Sequence, residues 1–463
     1  MRGRLASVAA GMLVALLVGA GATGADAQAD WQDLQALIDA TADGGELVLA
    51  PGMYAGGVTI TRPLTLRGED GAVIDARGEG TVIVVDAPNV TIANLLLRNS
   101  GTSLDRENSG VEANAPNVTI TDNVFENVLF GVFLRGAEDS VIANNVIGAM
   151  DVGPARRGDG IRLWESSRTV VENNVVTRGR DVVLWFSNDL VVQDNVITSG
   201  RYGLHFMYSD RAMVSRNELS GNSVGAFLMY SKDLAFHDNL VAENNGPSGY
   251  GIGLKDMDGV TAGGNRFIDN RIGLYLDNSP GDPNVHHQFS RNLFAYNDVG
   301  IMFLPAVKRN RFTENAFIDN GEQVGIAGSG RFSGNDWSVA GVGNYWSDFA
   351  GYDADGDGIG DRPYRLEDLY STMTDDYPEL RFFSETPAAK AVDAAALLFP
   401  TLRPDPKLED DAPLVRAPHF STLGDEKAPT GVALGLVSAA LLAAAATLTT
   451  LALRSPRTKR LAP

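Results

Sequence analysis

The unit Gly203-Leu-His-Phe-Met207, which leads to Asn217, recurs about every 22 residues along this chain. Gly225-Ala-Phe-Leu228 leads in the same way to Asn239, and Gly273-Leu-Tyr-Leu276 leads to Asn292. A unit of this length is too small to bury a hydrophobic core by itself, so successive units must stack on one another. The sequence therefore predicts a solenoid, in which residues far apart in the chain become neighbours on adjacent turns.

Asparagines close the units, and short apolar strands with polar corners lie between them. The closing residues are Asn94, Asn123, Asn145, Asn174, Asn195, Asn217, Asn239, Asn265, Asn292 and Asn315. We interpret them as structural, because asparagine tolerates left-handed backbone angles and stacked amides hydrogen-bond between turns. With crossovers of the usual hand, such strands form an all-β fold, a right-handed parallel β-helix of about a dozen turns that each rise about 4.8 Å.

Composition excludes several classes of function. The 463 residues include 58 acidic and 38 basic side chains, for a formal net charge of -20. A field of that sign repels nucleic acid, so we expect no nucleic-acid partner. The chain has no cysteine, which excludes disulfides, thiolate metal sites and thiol nucleophiles. A soft metal would have to be bound by histidine and methionine.

Both ends of the chain carry membrane signals. Arg2 and Arg4 precede an apolar run, and Ala25-Asp-Ala27 is typical of a cleavage site, so residues 1–27 are interpreted as a signal peptide. The uncharged stretch 431–453 is long enough to cross a bilayer, and basic residues follow it in 454–463. This order predicts an extracytoplasmic protein with a C-terminal transmembrane helix and a cytoplasmic tail.

Three further regions lie between these signals. Residues 28–340 are expected to form the β-helix, whose first edge is covered by a helix over 30–42, with Asp30 as its cap and an apolar face of Trp31, Leu34, Leu37 and Ile38. Residues 341–380 should form a C-terminal cap. Frequent prolines in 381–430 indicate a spacer, interrupted by one helix from 388 to 399.

Alternation along the strands predicts which side chains face outward. One outward column contains Arg135, Trp164, Trp185, Met207, Met229 and Lys255, and the column beside it contains Phe133, Arg162, Val183, His205, Phe227 and Tyr275. An exposed apolar stripe of this kind usually marks a contact site. Three interpretations remain open: a Pro-rich segment or loop covers the stripe, sugars stack on Trp164, Trp185 and Tyr275, or a soft metal and a partner protein bind there.

Two thioethers and an imidazole in this stripe suit Cu(I) better than Zn²⁺ or Ca²⁺. Met207 and Met229 should be stacked one turn apart, and His205 lies two residues from Met207 on the same strand face. We therefore treat these three as candidate Cu(I) ligands and Trp164, Trp185, Phe227 and Tyr275 as a partner-docking surface. His237 is expected at a polar corner, and His286 with His287 in an exposed loop.

The loop Asp353-Ala-Asp-Gly-Asp-Gly-Ile-Gly-Asp361 has the spacing of a Ca²⁺-binding loop. Its carboxylates are Asp353, Asp355, Asp357 and Asp361, and Ile359 would contribute its carbonyl oxygen. Tyr364 occupies the position at which such loops carry a bidentate glutamate, so Glu367 or another segment would have to complete the shell. The alternative is a solvated acidic turn.

The units from about 120 to 330, followed by Gly343-Asn-Tyr-Trp-Ser-Asp348 and Arg362-Pro-Tyr364, resemble the NosD family of periplasmic nitrous oxide reductase maturation proteins. The resemblance implies a periplasmic, noncatalytic accessory protein. Its implied partners are the ATPase and permease of an ABC transporter, a copper chaperone and nitrous oxide reductase, and its implied cargo is copper or sulfur for a copper-sulfur centre. The apolar C-terminal stretch departs from those members of the family that are simply soluble.

A polysaccharide lyase or epimerase is the rival interpretation, because such enzymes use the same architecture and fold alone does not choose between functions. Arg162, Arg180 and Arg201 would neutralise a sugar carboxylate, with Asp181 nearby. The dominance of Trp, Met and Phe in the stripe favours docking over proton abstraction.

Overall fold

The computed structural model describes residues 31–420, apart from 329–331, 368, 385, 400 and 402–403. In this part of the chain, three long parallel sheets of 12, 13 and 12 strands run side by side, and each turn contributes one strand to each sheet. The parallel β-helix of about a dozen turns predicted from the repeat is therefore confirmed. The expected signal peptide, transmembrane helix and basic tail lie outside the described residues.

The strands of the first six turns are β1 (Gly45–Leu49), β2 (Gly52–Ala55), β3 (Val58–Ile60), β4 (Leu64–Gly68), β5 (Ala72–Asp75), β6 (Ile83–Val85), β7 (Thr91–Ala93), β8 (Leu96–Arg98), β9 (Ser109–Ala113), β10 (Thr119–Thr121), β11 (Val124–Val128), β12 (Phe130–Arg135), β13 (Val141–Ala143), β14 (Val146–Ala149), β15 (Ile161–Trp164), β16 (Val170–Glu172), β17 (Val175–Thr177) and β18 (Asp181–Trp185). The later strands are β19 (Val191–Gln193), β20 (Val196–Thr198), β21 (Tyr202–Met207), β22 (Met213–Ser215), β23 (Glu218–Ser220), β24 (Val224–Met229), β25 (Ala235–His237), β26 (Leu240–Ala242), β27 (Tyr250–Lys255), β28 (Thr261–Gly263), β29 (Arg266–Ile268), β30 (Ile272–Asp277), β31 (His287–Ser290), β32 (Leu293–Ala295), β33 (Val299–Phe303), β34 (Asn310–Thr313), β35 (Ala316–Ile318), β36 (Glu322–Ile326), β37 (Tyr345–Trp346), β38 (Tyr364–Leu366) and β39 (Leu408–Asp410). The first sheet runs from β1 to β34, the second from β2 to β37, and the third from β3 to β36.

The core lies between the three sheets. Inward residues such as Leu204 and Phe206 are fully buried, as alternation along β21 predicts. Aromatic rings also stack along the inside of the second sheet, with centroids 5.1 Å apart for Phe294 and Phe317 and 4.3 Å apart for Phe317 and Trp346. This stack ends on Tyr364, whose ring lies 4.3 Å from that of Trp346. The same interior therefore continues into the C-terminal cap.

A ladder of buried asparagines joins ten turns of the solenoid. In each step a backbone N–H donates to the side-chain oxygen of the asparagine one turn later, at 2.9 to 3.1 Å, through Asn123, Asn145, Asn174, Asn195, Asn217, Asn239, Asn265, Asn292, Asn315 and Asn344. The structural role expected of these asparagines is confirmed. Asn94 is an exception, because Leu95 occupies the ladder position and donates its backbone N–H to Asn123.

The expected backbone geometry of this corner was wrong. The left-handed residue is the one before the ladder asparagine at nine of the ten positions, all except Asn344, for example Asp194 with φ 56° and Arg216 with φ 53°. The reason is that the ladder side chain must point inward to reach the next turn, so the reversal of the chain falls on its neighbour. A second asparagine ladder, from Asn222 to Asn320, and a serine ladder, from Ser166 to Ser231, cross the other two corners.

An N-terminal helix covers the first edge of the third sheet. Helix α1 (Leu34–Ala40) begins after Asp33, whose side chain accepts a hydrogen bond from the backbone of Ala36. Asp33, rather than Asp30, is therefore the cap. Gln35 exchanges two hydrogen bonds with the backbone of Thr59 at 2.8 and 3.1 Å, so its amide occupies the place of a neighbouring strand. Leu37, expected on the apolar face, is 37% exposed, because that face is narrower than four residues.

The C-terminal segment returns to the end of the solenoid. This segment contains helices α2 (Leu369–Asp376) and α3 (Pro387–Leu398) and a short 3-10 helix at Pro378–Phe383, and another 3-10 helix, Pro154–Arg156, lies in the loop between β14 and β15. Strand β39 pairs antiparallel with β38, and buried Asp410 accepts hydrogen bonds from the backbone of Asn344 and the indole of Trp346. Part of the expected spacer 381–430 therefore belongs to the cap, and the helix expected at 388–399 is found one residue earlier. Between residues 31 and 420, the described helices are each too short or too polar to cross a bilayer.

Candidate functional site

The two predicted outward columns lie side by side on the third sheet. Arg135, Trp164, Trp185, Met207, Met229 and Lys255 are successive partners in the strand register, and the neighbouring column runs through Phe133, Arg162, Val183, His205, Phe227, Gly253 and Tyr275. The stacking of Met207 on Met229, one turn apart, is therefore confirmed. Gly253 leaves a gap in the second column between Phe227 and Tyr275.

The stripe is less exposed than alternation alone predicts. Met207 and Met229 are half-buried, while His205 is only 6% exposed although it faces outward. The rings of Trp185 and Tyr202 close over the imidazole, with centroids 5.1 and 4.8 Å from it. The expectation of an exposed His205 was wrong, because Trp185 on the preceding turn and Tyr202 on the same strand cover its outer face.

Asp181, on the preceding turn, orients the imidazole of His205. Nδ1 of His205 lies 3.3 Å from the carboxylate of Asp181, and Nε of Arg201 lies 2.9 Å from the same carboxylate. Burial alone would raise the pKa of Asp181, but the hydrogen bonds from His205 and Arg201 outweigh it and hold that pKa below its ordinary value. Because an ionised carboxylate only accepts hydrogen bonds, Nδ1 of His205 must carry the proton. Nε2 is then the nitrogen available to a metal, as in carboxylate-histidine-metal arrangements.

A charged cluster covers the N-terminal part of the stripe. Glu107, from the loop between β8 and β9, binds Arg162 at 2.8 Å and Arg135 at 2.7 Å. The guanidinium of Arg162 also lies over the rings of Phe133, at 5.1 Å, and Trp164, at 5.9 Å. An inserted loop therefore covers this end of the stripe. The Pro-rich segment, as far as the structure describes it, packs instead on the last turn.

A small aromatic cavity of about 220 Å³ adjoins Met229. Tyr250 and Tyr275 form one wall, with parallel rings 4.3 Å apart, and the ring of Phe227, which lies against Gly253, forms another. Burial raises the pKa of Tyr275 to about 12, and Lys255 lies 3.4 Å from Asp277 at the edge. The cavity therefore offers neutral hydroxyls and aromatic faces to a ligand or to a side chain of a partner.

Three aromatic residues at the corner, two exposed and one half-buried, extend the stripe and were not predicted from the sequence. Phe186, Tyr208 and Tyr230 each follow a residue of the first column, and their rings stack at 5.3 and 5.1 Å. All three have left-handed backbones with φ near 52 to 53°, which is unusual for large side chains. The signal was present as an aromatic residue after each outward Trp185, Met207 and Met229.

Two of the other histidines, His237 and His287, lie in strands of the solenoid. His237 ends strand β25 and is half-buried, rather than lying at a corner. His287 is fully buried, and its Nδ1 accepts a hydrogen bond from the backbone of Val260. The expectation that His286 and His287 lie in an exposed loop was wrong for His287, because strand β31 begins there and its first side chain points into the core.

The acidic loop brings three of its predicted ligands together. Oxygen atoms of Asp353, Asp355 and Asp357 lie within 4.8 Å of one another. The side chain of Asp361 accepts a hydrogen bond from the backbone of Ala354 and so closes the loop. Ile359 bridges to Leu414, but the hydrogen bonds of that bridge use Gly358 and Gly360, so the carbonyl of Ile359 is not used by the pairing.

Comparison with known proteins places the chain in a family. A family model described as periplasmic copper-binding protein (NosD) matches residues 148–351, and another described as right handed beta helix region matches residues 68–181. The probable ABC transporter binding protein NosD of Stutzerimonas stutzeri is 32% identical, over 82% of this chain and 89% of its own length. The protein of the same name from Pseudomonas aeruginosa is 33% identical, over 89% and 97%.

Among solved structures, the A-module of the mannuronan C-5 epimerase AlgE6 from Azotobacter vinelandii superposes with a TM-score of 0.53 at 18% identity, and the match covers 67% of this chain and 96% of the module. An identity this low shows the shared β-helix fold alone. The extent and identity of the two bacterial relatives, together with the aligned turns and the cap that follows them, show that this chain belongs to the NosD family.

Proposed function

We propose that this chain is a periplasmic accessory protein for the maturation of nitrous oxide reductase, and that it binds copper and delivers it to the copper-sulfur centre. Membership of the NosD family, whose model is described as periplasmic and copper-binding, supports this proposal. The names of the two relatives support an ABC transporter, with its ATPase and permease, as the membrane partner. A copper chaperone on the donor side and the reductase on the acceptor side complete the proposed pathway.

The observation that carries the copper proposal is the pairing of His205 with buried Asp181 beside two stacked methionines. The carboxylate holds Nδ1, so Nε2 of His205 and the thioethers of Met207 and Met229 form a soft donor set on one face. Thioethers and a neutral imidazole suit Cu(I), which needs no anionic ligand. The covered position of His205 restricts access from water, as suits an ion that is transferred between proteins.

The surrounding aromatic residues suit docking of the donor or acceptor protein. Trp164, Trp185, Phe227 and Tyr275 are half-buried and lie on both sides of the methionines. Aromatic residues with one open face are enriched at protein interfaces and contribute most of the binding energy there. A role for Asp181 as the base of a lyase is disfavoured, because its side chain is 1% exposed and already bonded to Arg201 and His205.

The test is a titration of the purified full-length chain with Cu(I) in the presence of a competing chelator. We expect the double variant Met207→Ala, Met229→Ala to bind Cu(I) about tenfold more weakly or worse, because two of three soft donors are removed. The matched control is Met213→Ala, Met373→Ala, which removes two exposed methionines, from β22 and α2. Equal binding by the wild type and the Met207, Met229 variant would remove this site from the proposal.

We also propose a structural Ca²⁺ ion in the acidic loop. The convergence of Asp353, Asp355 and Asp357, with the carbonyl of Ile359 and the carboxylate of Asp361 nearby in the loop, supports an all-oxygen site. Tyr364 stacks on Trp346 and donates its hydroxyl to Asp348, so it contributes no ligand. Its position explains why the final glutamate of such loops is absent here, since the residue serves the core of the cap.

A further inference from the structure

A second cavity lies at the corner between the second and third sheets, away from the stripe that contains Met207 and Met229. Its volume is about 700 Å³, within the range of sites for small-molecule ligands. One wall is the loop between β14 and β15, with Pro154 and Arg157, and the other is the loop between β26 and β27, with Glu243 and Asn245. Two insertions that lengthen the repeat therefore form a groove over three regular turns.

The lining of the groove is polar and small. Glycine, serine, asparagine and arginine account for all but three of its 14 residues: Gly179, Gly200, Gly221, Gly246, Ser199, Ser223, Asn222, Asn245, Arg157, Arg180 and Arg201, with Glu243, Pro154 and Ala155 as the others. The groove offers no aromatic or large aliphatic side chain to anchor a folded protein or an apolar peptide side chain. Hydroxyl and amide groups on a floor of glycines instead suit a ligand rich in hydroxyls.

The groove presents three arginines and one exposed carboxylate, Glu243, whereas the aspartates paired with two of these arginines are buried. Arg180 and Arg201 are 33% and 48% exposed at their side chains, whereas their partners Asp159 and Asp181 are 0% and 1% exposed. Each carboxylate lies beneath its arginine and fixes the guanidinium, with Nε of Arg180 at 3.1 Å from Asp159. The sides of the two guanidinium groups that point away from these carboxylates therefore face the groove, one turn apart. This contrasts with the net charge of the whole protein, which is -20.

Arg157 adds a third guanidinium from the loop. Its Nε donates to the carbonyl of Val152 and its Nη1 to the carbonyl of Ser199, so the side chain is held across the groove without any carboxylate partner in these contacts. Guanidinium groups fixed in this way bind carboxylates through paired, charge-assisted hydrogen bonds.

From these contacts we propose that the groove binds an acidic saccharide, with a uronate carboxylate on Arg157, Arg180 and Arg201 and hydroxyl groups on the serine and asparagine side chains. The site binds the sugar and does not cleave it, since Asp159 and Asp181 are buried under their arginines. Its lining contains none of the stripe residues, and the two sites are linked only through Asp181, which contacts both Arg201 and His205 in the described contacts.

The experiment measures binding of a short oligogalacturonate to the full-length chain by calorimetry. We expect saturable binding that weakens about tenfold or more in Arg157→Gln, which removes a fork without leaving a buried carboxylate unpaired. Arg180→Lys tests the paired hydrogen bonds of the guanidinium, because lysine keeps a positive charge over Asp159 but lacks the planar group. We expect weaker binding with an unchanged fold. Arg168→Gln, which changes an exposed arginine in the turn before β16, is the matched control and should bind like the wild type.

Three comparison ligands distinguish the sources of an anion. The methyl-esterified oligosaccharide should not bind, because it lacks the carboxylates. Inorganic phosphate or a poly-glutamate peptide that binds as tightly as the oligogalacturonate would overturn the proposal in favour of general anion binding or an acidic protein partner. Absence of oligogalacturonate binding, or binding unaffected by Arg157→Gln in a folded variant, would overturn it as well. The Met207→Ala, Met229→Ala variant should bind the sugar normally, so this result and the copper result can fail independently.

Discussion

His287 shows how a buried titratable side chain depends on its position in the coil. It is the register partner of Asn310 on the next turn, and its Nδ1 accepts the backbone N–H of Val260. Burial lowers the pKa of His287 to about 3, and the positive charge of Arg309 adds to the effect. Between about pH 3 and pH 6.5 the imidazole is therefore neutral in the folded protein, whereas the same side chain of the unfolded chain binds a proton.

This predicts a specific acid sensitivity. Because the folded-state pKa is below the unfolded value of about 6.5, the stability associated with His287 is present above that pH and is lost as the pH falls from about 6.5 toward 3, at up to about 1.4 kcal/mol per pH unit. His287→Asn keeps an acceptor for Val260 and removes the titration. Thermal unfolding measured between about pH 7 and pH 4 should show that the stability of the variant falls less steeply with decreasing pH than that of the wild type.

The control for this experiment is His286→Asn, which changes the neighbouring histidine outside the core. In that variant the free energy of unfolding should fall with decreasing pH as steeply as in the wild type. A His287→Asn protein whose unfolding free energy falls with pH as steeply as that of the wild type would contradict the assignment.

At the scale of elements, the C-terminal cap joins the acidic loop to the end of the solenoid. The loop is bonded to 413–415 through Gly358 and Gly360, and the same segment follows Asp410, on which the asparagine ladder and Trp346 converge. A Ca²⁺ ion in the loop would therefore stabilise the only described element that covers the last turn of the ladder at this corner. Binding of the proposed Ca²⁺ ion would therefore be coupled to folding of the cap.

Removal of Ca²⁺ tests that coupling. Addition of a Ca²⁺ chelator to the full-length chain should lower the melting temperature and change the fluorescence of Trp346, because the loop carboxylates repel one another without the cation. The variant Asp353→Asn, Asp355→Asn should melt at the lower temperature with or without chelator. A melting temperature that does not respond to chelator in the wild type would favour a solvated acidic turn.

At the scale of the whole molecule, stability is distributed over contacts between neighbouring turns. Each ladder asparagine bonds to both adjacent turns: Asn217 donates to Asn239 and to the carbonyl of Val192, and it accepts from Asn195. In a solenoid such nearest-neighbour contacts substitute for a single central core. A defect at one interior turn therefore weakens the coupling between the two halves of the rod.

Asn217→Ala should lower the free energy of unfolding by about 2 to 4 kcal/mol, because the backbone and amide groups of Asn195 lose a buried acceptor. Chemical denaturation measures this change. Asn284→Ala, at an exposed loop position bonded only locally in the described contacts, should remain within about 0.5 kcal/mol of the wild type. A loss no larger for Asn217 than for Asn284 would show that the ladder contributes little.

The repeat was sufficient to predict the stacked coil and the register of the outward columns, because a unit of about 22 residues buries its apolar strand faces only by stacking on its neighbours. The third strand of each turn was seen only in the structure. The alignment of Trp185, Met207 and Met229 follows from that period. The convergence of carboxylates in the acidic loop was also predictable from the sequence, because these residues are close together in the chain.

Other features depend on contacts between distant residues. Trp185 and Tyr202 cover His205, Asp181 fixes its Nδ1, and residues 408–410 return to pair with 364–366. The arginine groove likewise exists only where two insertions meet over the same three turns. Local periodicity specifies the direction of a side chain, but the sizes and charges of neighbours on other turns determine whether that side chain is exposed, oriented or part of a site.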